Sequence, residues 1–138
     1  MDNKELIEKY PFLQVRNAWS GEVVPDSTWL DEMPNGWRAA FGMRMVKEIS
    51  NILKKADYAD KYQIVQIKEK FGELRWYDNG APSLIYEELN DCIDRYAALS
   101  GATCINCGEP AVGITKGWIM PLCLECSIDA KRELDTFD

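Results

Sequence analysis

The sequence predicts an α+β fold: amphipathic helices packed on a β-hairpin, followed by a C-terminal four-cysteine module of the ribbon or treble-clef kind. Three observations carry that expectation. Apolar residues recur at three- and four-residue steps over residues 36–56, and the period changes to two over 62–77. Two Cys-x2-Cys pairs, Cys104/Cys107 and Cys123/Cys126, then stand fifteen residues apart. A chain of 138 residues lies within the size range of one domain. It divides into an irregular N-terminal segment (1–34), a helix–hairpin–helix core (35–100), and a cysteine module with a C-terminal helix (101–138).

The first segment opens with a short helix from Glu5 to Lys9, stopped by Pro11. A stretch rich in Gly, Pro and Asp follows. In "PDSTWLDEMP", Asp26 or Ser27 can cap a brief helix in which Trp29, Leu30 and Met33 form an apolar turn.

From Gly36 to about Ala56, Trp37, Phe41, Met45, Ile49, Ile52 and Ala56 share one helical face. Across "YQIVQIKEKFGELRWYDNG" the alternation sets Tyr62, Ile64, Gln66, Lys68 and Lys70 on one strand face, with Val65, Ile67 and Glu69 on the other. Gly72 permits a tight reversal into a second strand, Leu74 to Tyr77, and Asp78-Asn79-Gly80 supplies the closing turn. Ser83 can cap a helix over Leu84 to Leu99 that buries Ile85, Leu89, Cys92, Ile93 and Tyr96. Cys92 is thereby expected to behave as a small apolar core residue. Glu87, Glu88, Asp91 and Asp94 form an acidic stripe on the opposite face.

The cysteine quartet has the spacing of a four-thiolate zinc site. A two-residue gap lets two sulfurs reach one ion, and two such pairs complete a tetrahedron. Gly108 allows the first pair to turn back on itself as a knuckle. Ala111–Thr115 and Trp118–Leu122 are expected as two short strands joined at Lys116-Gly117. The second pair would lead into a helix carrying Ala130, Leu134 and Phe137 on one face. One zinc ion held by Cys104, Cys107, Cys123 and Cys126 would have a closed coordination shell and a structural role.

Composition narrows the function. With 46% apolar and 28% charged residues the chain has the make-up of globular protein. It has no apolar run near the roughly 20 residues that span a bilayer, and "MDNKELIEKYPFL" holds no signal-peptide apolar region. The expected compartment is a reducing cytosol, where five cysteines do not form a disulfide framework. The chain contains no histidine, which removes Ser-His and Cys-His dyads and the commonest general base. Net charge is −7. Residues 70–138 carry six basic against twelve acidic side chains, and Lys116 is the sole cation from Gly101 to Cys126. Nucleic-acid binding, which rests on Lys and Arg contacts to phosphates, is therefore disfavoured.

Three strings, "MPNGWRAAFG", "QIKEKFGELRWYDNGAP" and the quartet with "GWIMPLC", together resemble a zinc-binding family of small bacteriophage and prophage proteins, of the kind found in gut Firmicutes. The resemblance runs over residues 10–127. It implies a phage or prophage origin, zinc binding and a bacterial host cytoplasm, and it supplies no catalytic residue.

Within the second string, Lys68, Glu69, Lys70, Arg75, Trp76 and Tyr77 are the candidate binding surface. The function expected is non-enzymatic: a zinc-stabilised protein that binds a host or phage protein, with inhibition of a defence system as one candidate outcome. A nucleic-acid-associated regulator using hairpin and helix lysines is one alternative. Another is a nucleotide-sequestering protein with a cleft of Trp76, Tyr77 and the neighbouring cations. No membrane partner is expected, and oligomeric state is left open.

Overall fold

In the computed structural model, which describes residues 1–137, α1 (Asn3–Lys9) opens the chain, its first turn capped by the Asp2 carboxylate, which accepts from the Glu5 N–H. The segment expected to be irregular is instead largely ordered. After a 3-10 turn (Pro11–Leu13), β1 (Gln14–Arg16) pairs antiparallel with β2 (Val23–Thr28). The alternation that announces a strand is missing because β2 is exposed over most of its length and Asp26 breaks it with φ +58°. Asp26 and Ser27 lie inside this strand, so the following 3-10 turn (Trp29–Glu32) begins at Thr28, whose N–H donates to the Asp31 carboxylate at 3.0 Å.

The main helix starts as α2 (Asn35–Trp37), widens into a π turn (Arg38–Gly42), and continues as α3 (Met43–Lys54). A π turn suits this sequence. Trp37, Phe41, Met45 and Ile49 follow at steps of four, and on a regular helix each such step drifts by about 40°. One wider turn offsets part of that drift, and all four side chains are buried.

β3 (Ile64–Lys70) and β4 (Glu73–Asp78) form the predicted hairpin, but not with the predicted faces. The register shifts between Ile64 and Gln66, a bulge at Val65. Tyr62, Ile64 and Ile67 are therefore all buried, while Gln66, Lys68 and Lys70 stand on the outer face opposite Tyr77, Arg75 and Glu73. The inner face carries Glu69, Leu74 and Trp76. Tyr62 Oη donates to Asp78 at 2.6 Å and accepts from the Trp76 indole at 2.9 Å.

α4 (Ser83–Ser100) buries Ile85, Leu89, Cys92 and Tyr96, with Pro82 rather than Ser83 at its cap position. It packs against α3 and β4. The Cys92 thiol donates to Glu48 at 3.3 Å; burial and that carboxylate push its pKa up to about 12. Glu87, Glu88, Asp91 and Asp94 are exposed.

In the C-terminal region, β5 (Gly113–Thr115) is flanked by β6 (Pro121–Leu122) and β7 (Leu134–Thr136) in a three-stranded antiparallel sheet. The final helix, α5 (Leu124–Asp129), ends sooner than predicted. Lys131 takes φ +55°, and Leu134 enters a strand instead of a helical face. The free edge of β5 explains the switch: its backbone groups need partners, and residues 134–136 supply them.

Candidate functional site

The four cysteines come together from two turns. Cys104 and Cys107 sit on the knuckle after α4, which closes with a Gly108 N–H bond to the Cys104 carbonyl at 3.0 Å. Gly108 has φ +88°, a conformation open to glycine at little cost. Cys123 is the cap residue of α5, its sulfur accepting from the Cys126 N–H at 3.4 Å. All four Sγ atoms lie within 4.8 Å of one another.

This donor set fits a metal ion. Tetrahedral thiolate sites with metal–sulfur bonds of about 2.3 Å need sulfurs about 3.8 Å apart, and Cys107 Sγ stands 3.6 Å from Cys123 Sγ. The electrostatics agree. Burial opposes ionisation of Cys104, yet N–H donors of Cys123, Cys107 and Asn106 outweigh it and bring the thiol down to about 7. Hydrogen bonding to Cys123 holds the Cys126 thiol well above the usual range, the direction that clustered sulfurs with no cation between them favour. A divalent ion would supply positive charge to the thiolates and tie the two turns together.

The knuckle also grips the main helix. The Gly36 N–H donates to the Ile105 carbonyl at 2.8 Å, and the Trp37 indole donates to the Thr103 carbonyl at 3.1 Å. A Cβ on Gly36 would lie 2.1 Å from the Cys104 carbonyl oxygen, so the backbones meet where no other residue fits. The "NGW" of the first resembling string is thus the metal module's docking point.

The predicted binding surface is partly reassigned. Lys68, Lys70, Arg75 and Tyr77 share the outer hairpin face, with the Lys68 ammonium 5.8 Å from the Tyr77 ring centroid and Arg75 paired to Glu73 at 3.7 Å. Trp76 is only 7% exposed and points to the opposite side, into the core. Glu69 also lies on the inner side, where its carboxylate accepts from the Gly72 N–H at 3.0 Å. A cleft built from Trp76 and Tyr77 together is therefore not formed.

In its place the structure exposes two aromatic rings, neither of them among the residues expected at the binding surface; Trp118, expected to pack on the preceding helix if not to stack on a base, stands free of it. Phe71, at the β3–β4 turn, is 70% exposed, and Trp118, at the β5–β6 turn, is 71% exposed. The turns abut: a Cβ on Gly72 would meet Ile119 Cγ2 at 3.0 Å. The rings flank a cleft of about 250 Å³ that Glu69, Lys70 and Ile119 also line. Phe71 holds φ +53°, a strained conformation for a bulky side chain. The signal in the sequence is an aromatic directly beside a turn glycine, Phe71 before Gly72 and Trp118 after Gly117. A further ring, Trp19, is exposed at the tip of the β1–β2 hairpin.

These features define an α+β protein with a ribbon-like four-cysteine metal module. Compared with known protein families, curated proteins and solved structures, the chain matches none. Among the described residues no helix is long and apolar enough to cross a membrane.

Proposed function

We propose that the protein is a non-enzymatic interaction protein, stabilised by one structural zinc ion, that binds another protein through the surface at Phe71 and Trp118. The observation that carries this reading is the exposed ring pair on two abutting turns. A chain gains stability by burying such rings, roughly 2 kcal/mol each, and here one of them is held out on a strained backbone. That arrangement suits a surface completed by a partner. Aromatic residues are enriched in the cores of protein interfaces and Trp among their hot spots, and the Lys70 ammonium lies 5.7 Å from the Phe71 ring centroid.

Zinc is the ion proposed because four thiolates and tetrahedral spacing suit it, and four protein ligands leave no open position for chemistry. The absence of histidine supports a non-enzymatic role. The resemblance to phage and prophage proteins makes a host or phage protein the proposed partner and the bacterial cytoplasm the proposed setting, with a defence system as one target class. Affinity purification from lysogenic or infected bacteria tests this with the wild type and a Phe71→Ala/Trp118→Ala variant. A partner captured by the first and lost by the second is expected. Equal recovery by both, or none above background, counts against the reading.

A further inference from the structure

A second surface lies away from both the hairpin turns and the cysteines. Between α1 and the main helix runs an open groove of about 560 Å³. Leu6, Leu30 and Met43 contribute an apolar floor, and Lys9, Arg38 and Lys47 stand along it. No carboxylate lines the groove. In a chain with 23 acidic and 16 basic residues, a lining with cations alone is the reverse of the average surface. Arg38 is held in place by Asp31 at 2.9 Å, whereas Lys9 and Lys47 enter no ion pair among the described residues. The main helix meets the groove at its π turn, which contributes Arg38 and Ala39. Such turns recur at functional sites.

We propose that this groove docks an acidic amphipathic helical segment of another protein. Its apolar side chains would enter over Leu6, Leu30 and Met43, and its carboxylates would meet Lys9, Lys47 and Arg38. Three features select that occupant. The cations ask for negative charge. No strand lines the groove, so an extended peptide would find no sheet edge for its backbone, whereas a helix satisfies its own backbone groups. The groove is open to solvent, so an acyl chain would stay wetted along one side, while an amphipathic helix needs only one face covered.

The test uses the full, zinc-loaded chain and a fluorescein-labelled 18-residue peptide with leucines at i, i+3, i+4 and i+7 and glutamates on its flanks. Fluorescence anisotropy is expected to show saturable binding that weakens as salt rises. Lys9→Glu/Lys47→Glu should weaken it by about tenfold or more, as reversal of rim charges does. Both lysines are exposed, so the variant should fold, and unchanged circular dichroism and melting would verify that. Lys9→Gln/Lys47→Gln, a milder change, should give an intermediate loss. Phe71→Ala/Trp118→Ala should leave peptide binding unchanged, which separates this site from the proposed aromatic surface. Equal binding of a peptide with lysine in place of glutamate would overturn the proposal, as would wild-type affinity in the charge-reversed variant. Displacement of the peptide by decanoate at lower concentration than by unlabelled peptide would assign the groove to carboxylated lipids and overturn it too.

Discussion

Replacing Gly36 by alanine adds one methyl group at the contact between the main helix and the cysteine knuckle. That carbon would sit 2.1 Å from the Cys104 carbonyl oxygen and 2.6 Å from both the carbon and the oxygen of the Ile105 carbonyl. These are backbone atoms, so no side-chain rotation relieves the clash. The helix and knuckle must separate by about 1 Å in a close-packed interior. Separation breaks the Gly36–Ile105 hydrogen bond and draws the Trp37 indole away from the Thr103 carbonyl. Buried groups left unpaired cost about 1–3 kcal/mol each, and the better helix propensity of alanine returns at most about 1 kcal/mol. The expected net loss is about 3 kcal/mol, a fall in Tm of about 10 °C at this chain length. Gly42→Ala is the matched control on the same helix: its new carbon meets a flexible Leu30 methyl at 3.3 Å. It should change stability by less than about 1 kcal/mol. Differential scanning calorimetry measures both, and competition with a chromophoric chelator should show weaker metal binding in Gly36→Ala alone. Equal melting of the two variants with unchanged metal affinity would refute the docking argument.

Three other outcomes are expected. Chelation should remove one metal ion per chain and speed amide exchange over residues 104–126 and at Gly36 and Trp37, because four-thiolate binding can contribute on the order of 10 kcal/mol to folding; exchange followed by mass spectrometry checks it. Cys92 should resist thiol reagents at pH 8 in the native protein. Its pKa rises from 9.0 unfolded to about 12 folded, so the stability it contributes is intact below pH 9 and declines as pH climbs toward 12; Cys92→Ala should flatten that alkaline decline in urea titrations. Asp31 moves the other way: burial raises its pKa, but the Thr28 N–H, Asn3 and Arg38 outweigh it and hold the carboxyl below 3.8. Its contribution is present above that value and lost as pH falls through the lower folded pKa, so Asp31→Asn should be the less stable protein at pH 7 and lose less on acidification, as read by thermal melts at pH 7 and pH 3.

What the sequence made legible was local and periodic. Trp37, Phe41, Met45 and Ile49 announced their buried face by spacing alone, and the cysteine pairs announced a four-sulfur cluster able to hold a metal because ligand geometry restricts the gap between them. Reading failed where tertiary context altered the count. The bulge at Val65 moved every later residue of β3 to the other face, which is why Lys68 left the company of Ile64; Trp76, on β4, turns inward with Leu74 by that strand's own alternation. Ala130, Leu134 and Phe137 do fit a helical period, yet the unpaired edge of β5 drew Leu134 into a strand. The aromatic pair was illegible for a related reason. Phe71 and Trp118 lie on turns of different hairpins, and only their packing at Gly72 and Ile119 makes one surface of them.

The same logic links the metal module to the basic groove. Gly36 is fixed to the knuckle, and the π turn opens two residues later with Arg38 and Ala39. A helix start released from Ile105 would no longer hold that turn in register with α1, although Lys9 and Lys47 would keep their charges. Metal removal is therefore expected to weaken binding of the acidic peptide while leaving its salt dependence in place, since the long-range attraction survives and the fitted floor does not. Anisotropy titrations with and without chelator, each at two ionic strengths, separate the two contributions. Loss of the salt dependence together with the affinity would mean that the cations too depend on the metal. Unchanged affinity would show that the knuckle positions the helix start and nothing beyond it.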